Sequence, residues 1–430
     1  MELIPKKRVL PNGLNLLTLS LPQLQSVTVM LMIKVGSRYE SDNLAGISHF
    51  LEHLVFKGTD KYPTAFDLSS AVDSIGADFN AFTSKEYTGF YVKSALTHLD
   101  LSLDILSQLV CFPLLDEREM AKEKGVILEE IKMRDDLPMA KIADEFEILL
   151  YGLTHLGRPT IGYKDKIVKM KKQDFFDYRN KWYFPSNMVL GVVGGIDQIA
   201  DLEARVFKYF NNFDCLMAKA KDLTKLTFKQ DKPLVRLVKQ TTQQAHLCLG
   251  VRSFPRGNKD RYVMAVLTTL LGGNMSSRLF TEIREKRGLA YYIKSDISTY
   301  FDHGYLVCQA GNDLGKSGEV IKLILAEMVK LKDKNGINQK ELNKAKDYLK
   351  GKLMLALEDS KSLASFFVED LLLDGKIRTL KQVVAGVEKV TVADLGRVSQ
   401  AIFNNNGLNL AIIGPYQDQD RDKFEKLLKL

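Results

Sequence analysis

Hydrophobic positions follow two periods along this 430-residue chain. Short apolar runs bounded by turn residues predict strands, and apolar positions spaced three to four residues apart predict helices. Strands are predicted at 27–35, 188–193, 245–253 and 408–413 and within 78–93 and 290–310; long helices are predicted at 316–332 and 338–357. This mixture predicts α/β (α+β) domains in which helices pack on sheets in two layers.

An internal repeat divides the chain into two halves. The segment 174–194 is predicted to form an amphipathic helix, a Pro-Ser-Asn break and a strand, and the same order returns at 394–414, an offset of 220 residues. Near the front of each half, the predicted strand 27–35 corresponds to 245–253 at an offset of 218. A repeat of this kind indicates duplicated structural units. We therefore expect two homologous domains.

The repeat also predicts where these domains begin and end. An N-terminal domain is expected at 1–213, a Lys-rich linker at 214–232 and a C-terminal domain at 233–430. Leu267 and Leu271 stand in the second half where the first has His49 and His53. Leucine cannot bind zinc, so any metal chemistry built on these histidines belongs to the first half.

The segment 47–55 combines an apolar helix with three polar side chains. Apolar residues cover nearly all of the remaining helix surface, and a helix that is apolar almost all round is predicted to be buried. His49 and His53 are four residues apart and Glu52 lies between them, so all three project from one stripe. Two histidines and a carboxylate in this arrangement are typical of zinc ligands with a general base. The alternative is a pair of satisfied core histidines with a carboxylate paired elsewhere.

A second helix offers a third ligand. Asp116 and Glu119 form a capping signature that predicts its start. Glu123 and Glu130 are seven residues apart, almost two helical turns, and share one direction. That direction is otherwise apolar, with Met120, Val126, Ile127 and Met133 beside it. Such a break in patterning indicates a functional site, with Glu130 as third zinc ligand. Glu123 would orient a ligand or stabilise the transition state; the alternative is that both carboxylates pair with buried cations.

The run HFLEHLVFKGT at 49–59 resembles the inverted zinc motif of the pitrilysin and mitochondrial processing peptidase family, the inverzincins. In that family a third-ligand glutamate follows in a Val-x-x-x-Glu context, which Val126 to Glu130 matches. The resemblance covers essentially the whole chain and is to the short, two-domain bacterial type. It implies a metalloprotease-like duplication with two mixed sheets, each carrying helices on one face.

The same resemblance gives the second half a role. Arg284 and Tyr291 match a family context, Arg-x-Lys-x-x-Leu-x-Tyr, although on its own this pair is typical of an ordinary surface. A tyrosine hydroxyl can donate to the oxyanion formed during peptide hydrolysis, and the arginine would hold substrate carbonyls or anchor the tyrosine. In family members of this length the pair comes from the partner chain of a clamshell-like dimer. Since one chain carries both motifs, a homodimer is expected; a heterodimer with a paralogue is the alternative.

A predicted strand supplies a substrate-binding element. Asn80, Ala81 and Phe82 match the edge strand with which the family pairs an extended peptide backbone. Pairing of this kind gives affinity through main-chain hydrogen bonds. The alternative is an ordinary strand that leads into a turn.

Composition narrows the class of protein. The chain is 45% hydrophobic and 27% charged, with a mean hydropathy of −0.11. It has no uninterrupted apolar run of about 18 residues, so no membrane span is expected. No apolar core follows the basic residues at 6–8, and the four cysteines form no CxxC pair. These features predict reduced thiols in a cytoplasmic protein.

The formal charge of +8 and the pI near 9.0 raise the possibility of nucleic-acid binding. The lysines are scattered without a compact basic run, so no nucleic-acid partner is expected. The sequence instead predicts a zinc endopeptidase with one Zn²⁺ per chain, acting on unfolded or short peptides with Glu52 as general base. A non-catalytic peptide-binding or scaffold homologue is the alternative.

Overall fold

Two mixed β-sheets organise the computed structural model, which describes residues 3–211 and 223–430. The predicted linker at 214–232 lies outside the described residues as far as residue 222. Eleven strands are described: β1 (Lys6–Val9), β2 (Asn15–Ser20), β3 (Ser26–Ile33), β4 (Asp78–Thr83), β5 (Thr88–Ala95), β6 (Met188–Gly194), β7 (Leu234–Lys239), β8 (Gln244–Ser253), β9 (Ala290–Thr299), β10 (Gly304–Asp313) and β11 (Leu408–Gly414).

The two sheets have matching topologies. The first has the order β1-β2-β6-β3-β5-β4, and the second has the order β7-β11-β8-β10-β9. In each sheet one pair is parallel, β2 with β6 and β7 with β11. The remaining neighbours are antiparallel. The second sheet therefore repeats the first without the counterpart of β1.

Fifteen α-helices lie within the described residues: α1 (Ile47–Val55), α2 (Ala65–Asp73), α3 (Leu99–Cys111), α4 (Glu117–Asp135), α5 (Pro138–Tyr151), α6 (Lys164–Ile167), α7 (Lys172–Trp182), α8 (Leu202–Phe210), α9 (Arg261–Gly272), α10 (Ser317–Lys332), α11 (Gln339–Ala356), α12 (Ser360–Asp374), α13 (Leu380–Glu388), α14 (Val392–Ile402) and α15 (Arg421–Leu427). A π-helix spans Phe280–Glu285. No described helix combines the length and apolar character needed to cross a bilayer.

The internal repeat is confirmed by the element bounds. Helix α14 begins and ends 220 residues after α7, and β11 does the same relative to β6. Strand β8 begins 218 residues after β3. Leu267 and Leu271 lie on α9 and are fully buried. The fold prediction of two similar mixed sheets with helices is therefore correct.

The resemblance implied helices on one face of each sheet, and the structure adds a helix on the other face. One face is covered by helices from the same half of the chain, and the other by a helix from the opposite half. Helices α1, α3 and α7 pack on one face of the first sheet, and α12 lies against β3 and β6 on the other. The second sheet has its main core on one face, and α5 packs on β7, β8 and β11 on the other.

Two discontinuous compact units result from this exchange. One unit comprises Met1–Lys132, Arg158–Leu223 and Met354–Leu380, and the other comprises Met133–Gly157, Thr224–Leu353 and Lys381–Leu430. The sequence-based domain boundaries stay a prediction, because the units are defined by packing and not by chain continuity. Cys248 and Cys308 are buried free thiols, Cys111 is also buried, and Cys215 lies outside the described residues.

Candidate functional site

Helix α1 carries the two histidines and is anchored in the core by its other side chains. Its apolar side chains Ile47, Phe50, Leu51, Leu54 and Val55 are all buried. This packing fixes the rotation of the helix, so His49 and His53 share the remaining face. Their ring centroids are 4.6 Å apart with an interplanar angle of 57°.

A buried carboxylate secures the beginning of α1. Gly46 has a φ of 101°, a left-handed conformation that suits glycine, and offers no side chain to cap the helix. Glu40 replaces that cap: its carboxylate accepts hydrogen bonds from the backbone N–H of Gly46 at 2.7 Å and of Ser48 at 2.8 Å. Burial raises the pKa of Glu40 to about 7, although these bonds and Arg158 act in the opposite direction.

Glu130 on α4 lies opposite the two imidazoles. Its carboxylate oxygens are 3.8 Å from Nε2 of His49 and 3.8 Å from Nε2 of His53. One ligand atom from each of the three residues falls within 4.8 Å of the others. Two imidazole nitrogens and one carboxylate match a catalytic zinc site that keeps a fourth position open. The donor set therefore fits zinc.

The cluster is only partly buried. Side-chain exposure is 15% for His49, 23% for His53 and 36% for Glu130. The prediction of a buried helix is confirmed for the apolar side chains of α1, while His49, Glu52 and His53 are half-buried. Core packing covers the apolar side chains of α1, whereas its polar stripe keeps some contact with solvent.

Helix α4 departs from its predicted pattern. Met120 and Ile127 are buried as the apolar face requires, but Val126 is 50% exposed and Met133 is 59% exposed. The helix begins as predicted, because Asp116 Oδ1 accepts the backbone N–H of Glu119 at 3.1 Å. Only part of the apolar stripe therefore packs in the core.

Glu123 contacts one of the histidines directly. Its Oε1 lies 3.0 Å from Nδ1 of His53, and its Oε2 lies 2.7 Å from Nζ of Lys57. Glu123 is 4% exposed, so Lys57 provides the opposite charge that a buried carboxylate needs. With Nδ1 engaged, Nε2 of His53 is directed at Glu130. Carboxylates that bond the second nitrogen of a ligating histidine fix its orientation.

Glu52 has its own partner on the neighbouring strand. The Thr83 hydroxyl, at the end of β4, donates to Oε2 of Glu52. Burial raises the pKa of the Glu52 carboxyl above its ordinary value and the nearby Glu130 adds to this, while Thr83 and His53 oppose it. The carboxylate is thus oriented by Thr83 and is not part of the group formed by His49, His53 and Glu130.

Three residues of this site were missed by sequence reasoning: Lys57, Thr83 and Glu40. Lys57 stands inside the 49–59 motif and Thr83 directly follows Phe82, so both were adjacent to residues already identified. Glu40 has no sequence signal, because it reaches α1 from six residues before Gly46.

The predicted substrate-binding residues lie on an edge strand. β4 ends the first sheet and pairs with β5. Ala81 packs against the core, whereas Asn80 is exposed and its Oδ1 accepts the N–H of Ala81 at 2.8 Å. The Phe82 ring lies over Gly89, where an added Cβ would come within 2.3 Å of it. The three residues therefore do not share one face.

Arg284 and Tyr291 lie in the other compact unit and on two irregular stretches of backbone. Arg284 belongs to the π-helix Phe280–Glu285, and its guanidinium carbon is 5.8 Å from the centroid of the Tyr291 ring. Tyr291 is 74% exposed and sits at a break in the pairing of β9 with β10. π-Helical turns and β-bulges both occur often at functional sites.

Comparisons with known proteins show the family of this chain. Residues 16–164 match the family described as Insulinase (Peptidase family M16), and residues 169–349 match the Peptidase M16 inactive domain. An uncharacterized zinc protease of Bacillus subtilis is 36% identical, covering 95% of this chain and 98% of its own. Another from Mycobacterium leprae is 34% identical, covering 95% and 92%.

Solved structures show the same fold. A protease from Helicobacter pylori superposes with a TM-score of 0.90 at 27% identity, covering 96% of this chain and 100% of its own. A peptidase M16 inactive domain from Pseudomonas fluorescens gives a TM-score of 0.88 at 19% identity, covering 96% and 98%. The second similarity bears on the fold alone.

Proposed function

Because the chain belongs to peptidase family M16, we propose that it is a zinc-dependent endopeptidase acting on unfolded or short peptides. The observation that carries this proposal is the convergence of His49, His53 and Glu130 within 4.8 Å, with Glu52 beside them. These three residues would hold one Zn²⁺ per chain. When bound, zinc supplies Lewis acidity toward the attacking water and the scissile carbonyl.

The other side chains supply proton transfer and orientation. Glu52 takes a proton from the attacking water and delivers it to the leaving amine, as a general base and then a general acid. The Thr83 hydroxyl donates to Glu52 Oε2 and would orient the carboxylate for that task. Glu123 keeps His53 oriented through Nδ1. Peptide backbone pairing with the free edge of β4 would place the scissile bond beside Glu52.

Tyr291 would donate its hydroxyl to the oxyanion, and Arg284 would steady that tyrosine or a substrate carbonyl. We propose that the pair acts across a clamshell-like homodimer. Each chain would contribute the zinc-binding residues to one active site and the Arg/Tyr pair to the other. The presence of both elements in one chain supports a homodimer; a heterodimer with a paralogue would divide them. The exposure of Tyr291 suits a residue that meets a partner or substrate.

The Glu52→Gln variant tests the reaction. Glutamine keeps the size of the side chain but cannot take the proton, so we expect peptide hydrolysis to fall to background while bound zinc stays at one per chain. Mass spectrometry of products from a random peptide pool measures the first quantity, and elemental analysis the second. His49→Ala is the matched control, expected to lose zinc as well. Full hydrolysis by Glu52→Gln would remove Glu52 from the role of base.

A further inference from the structure

Tyr291 is carried by a break in strand pairing. Along β9 and β10, Tyr292 lies opposite Gly311, but the next pair joins Ala290 to Asn312. Tyr291 is therefore an extra residue with no partner on β10. A bulge of this kind bends the strand and redirects the side chain that it carries.

The residues on either side of Tyr291 face opposite sides of the sheet. Ala290 is 5% exposed and belongs to the main core of the second sheet. Tyr292 contacts His246, whose chain neighbours Ala245 and Leu247 face that same core, so His246 points to the other side. Residues two apart in a regular strand share a face. Only the extra residue between them allows this arrangement.

Tyr292 is held tightly against two neighbouring strands. Its hydroxyl lies 3.0 Å from Nδ1 of His246 on β8, and its ring lies over the backbone of Gly311 on β10, where an added Cβ would be 2.3 Å from a ring carbon. Glycine at 311 makes room for the ring. With Tyr292 and Ala290 both fixed, Tyr291 is the residue that must turn outward, and it is 74% exposed.

We infer that Tyr292 is a positioning residue: seated over Gly311 and bonded to His246, it sets the bulge that directs Tyr291 outward. The inference rests on the proposed function, in which Tyr291 donates to the oxyanion. Such a donor acts only within a narrow range of distance and angle. A loosened bulge would keep Tyr291 present but misdirect its hydroxyl.

Two variants test this role in the full-length, zinc-loaded protein. Tyr292→Phe removes the bond to His246 and keeps the ring; Tyr292→Ser removes both. We expect kcat to fall about tenfold in Tyr292→Phe and up to about 100-fold in Tyr292→Ser, with KM nearly unchanged. A displacement of a catalytic group by about 1 Å can lower the rate about 100-fold. Tyr305→Phe is the matched control. Tyr305 lies on β10 of the same sheet, and its hydroxyl donates to Glu147 of α5 at 3.0 Å, so its removal should leave kcat unchanged.

The Tyr291→Phe background separates positioning from general damage. There, Tyr292→Ser should lower kcat no further, because no hydroxyl remains to be directed. An equal further loss in that background, or no loss in the wild-type background, would overturn the inference. Hydrogen exchange over 289–293 gives a readout without activity: faster exchange in Tyr292→Ser than in Tyr305→Phe supports the bulge anchor, and equal exchange refutes it. If the wild type hydrolyses nothing, the proposed function fails while this measurement still decides the placement.

Discussion

His53 lies between two carboxylates of helix α4. Nδ1 lies 3.0 Å from Glu123, and Nε2 lies 3.8 Å from Glu130. Glu123 is almost fully buried and is paired with Lys57 at 2.7 Å. The contacts from Lys57 through Glu123 to His53 thus link a lysine outside the donor set to a predicted zinc ligand.

We expect Lys57→Met to weaken zinc binding by about tenfold, within the range found when partners of metal ligands are removed. Without the ammonium group, Oε2 of Glu123 loses its ion-pair partner. The carboxylate is then fixed less firmly, and its Oε1 orients His53 less well. Zinc dissociation constants from competition with a chelator measure the effect. Lys61→Met is the matched control, since Lys61 is paired with Asp104 and not with Glu123.

A double variant decides whether the effect passes through Glu123. Lys57→Met in the Glu123→Gln background should change the zinc affinity little, because the carboxylate that Lys57 holds is gone. Lys57→Arg should restore most of the affinity by keeping the charge. Equal zinc affinity of Lys57→Met and wild type would contradict this prediction.

Helix α1 has only nine residues, so its stability depends on its ends and on packing. Glu40 satisfies two N–H groups at its beginning, and Ser48 adds a 2.7 Å hydrogen bond between its hydroxyl and that of Tyr178. The histidine at the third position of the helix is close to this anchored end. Secure capping therefore bears on metal binding as well as on helix stability.

The capping carboxylate makes stability depend on pH. Its pKa rises from 4.5 to about 7 in the folded chain, so the folded state binds the proton more tightly than the unfolded state. The stabilisation linked to this group is complete below pH 4.5 and is lost as the pH rises through about 7. Glu40→Gln cannot titrate. We expect the free energy of unfolding of wild type minus that of Glu40→Gln to decrease between pH 4.5 and 8 in urea titrations; a constant difference would contradict it.

Sequence patterns predicted the features that depend on residues close together in the chain. The i, i+4 spacing of His49 and His53 and the seven-residue spacing of Glu123 and Glu130 follow from helix geometry, and the structure brings all but Glu123 into the cluster. Periodicity identifies a helix face but not what covers it. The exposure of Val126 and the contacts of Lys57 and Thr83 depend on packing between separate segments, which no single segment encodes.

Across the whole molecule, the exchange of α5 and α12 was not predictable from the repeat. Both helices have sequence neighbours in one half and pack on the sheet of the other. A buried contact shows why α12 is integral to the first unit: a Cβ on Gly191 of β6 would come within 2.4 Å of Val368. Thr28 and Ser360 also share a 2.9 Å hydrogen bond between buried hydroxyls.

A fragment comprising 1–211 should therefore be unstable on its own. It lacks α12, so the face of the first sheet that carries Met30, Met32 and Val189 would be open to water, and exposed apolar sheet promotes aggregation. We expect the fragment to aggregate or unfold at a lower temperature than the full chain. A version extended by a flexible linker and residues 357–376 should recover a cooperative transition in calorimetry, because it restores the covering helix.

The matched control carries the same linker and segment with Gly191→Val, which places a side chain where Val368 packs. The valine side chain should clash with α12 and so prevent the rescue. The control therefore separates specific docking of α12 from a general solubilising effect of the added helix. Cooperative folding of the bare fragment at the temperature of the full chain would show that the exchanged helix is dispensable. The two halves would then be independent domains despite their shared packing.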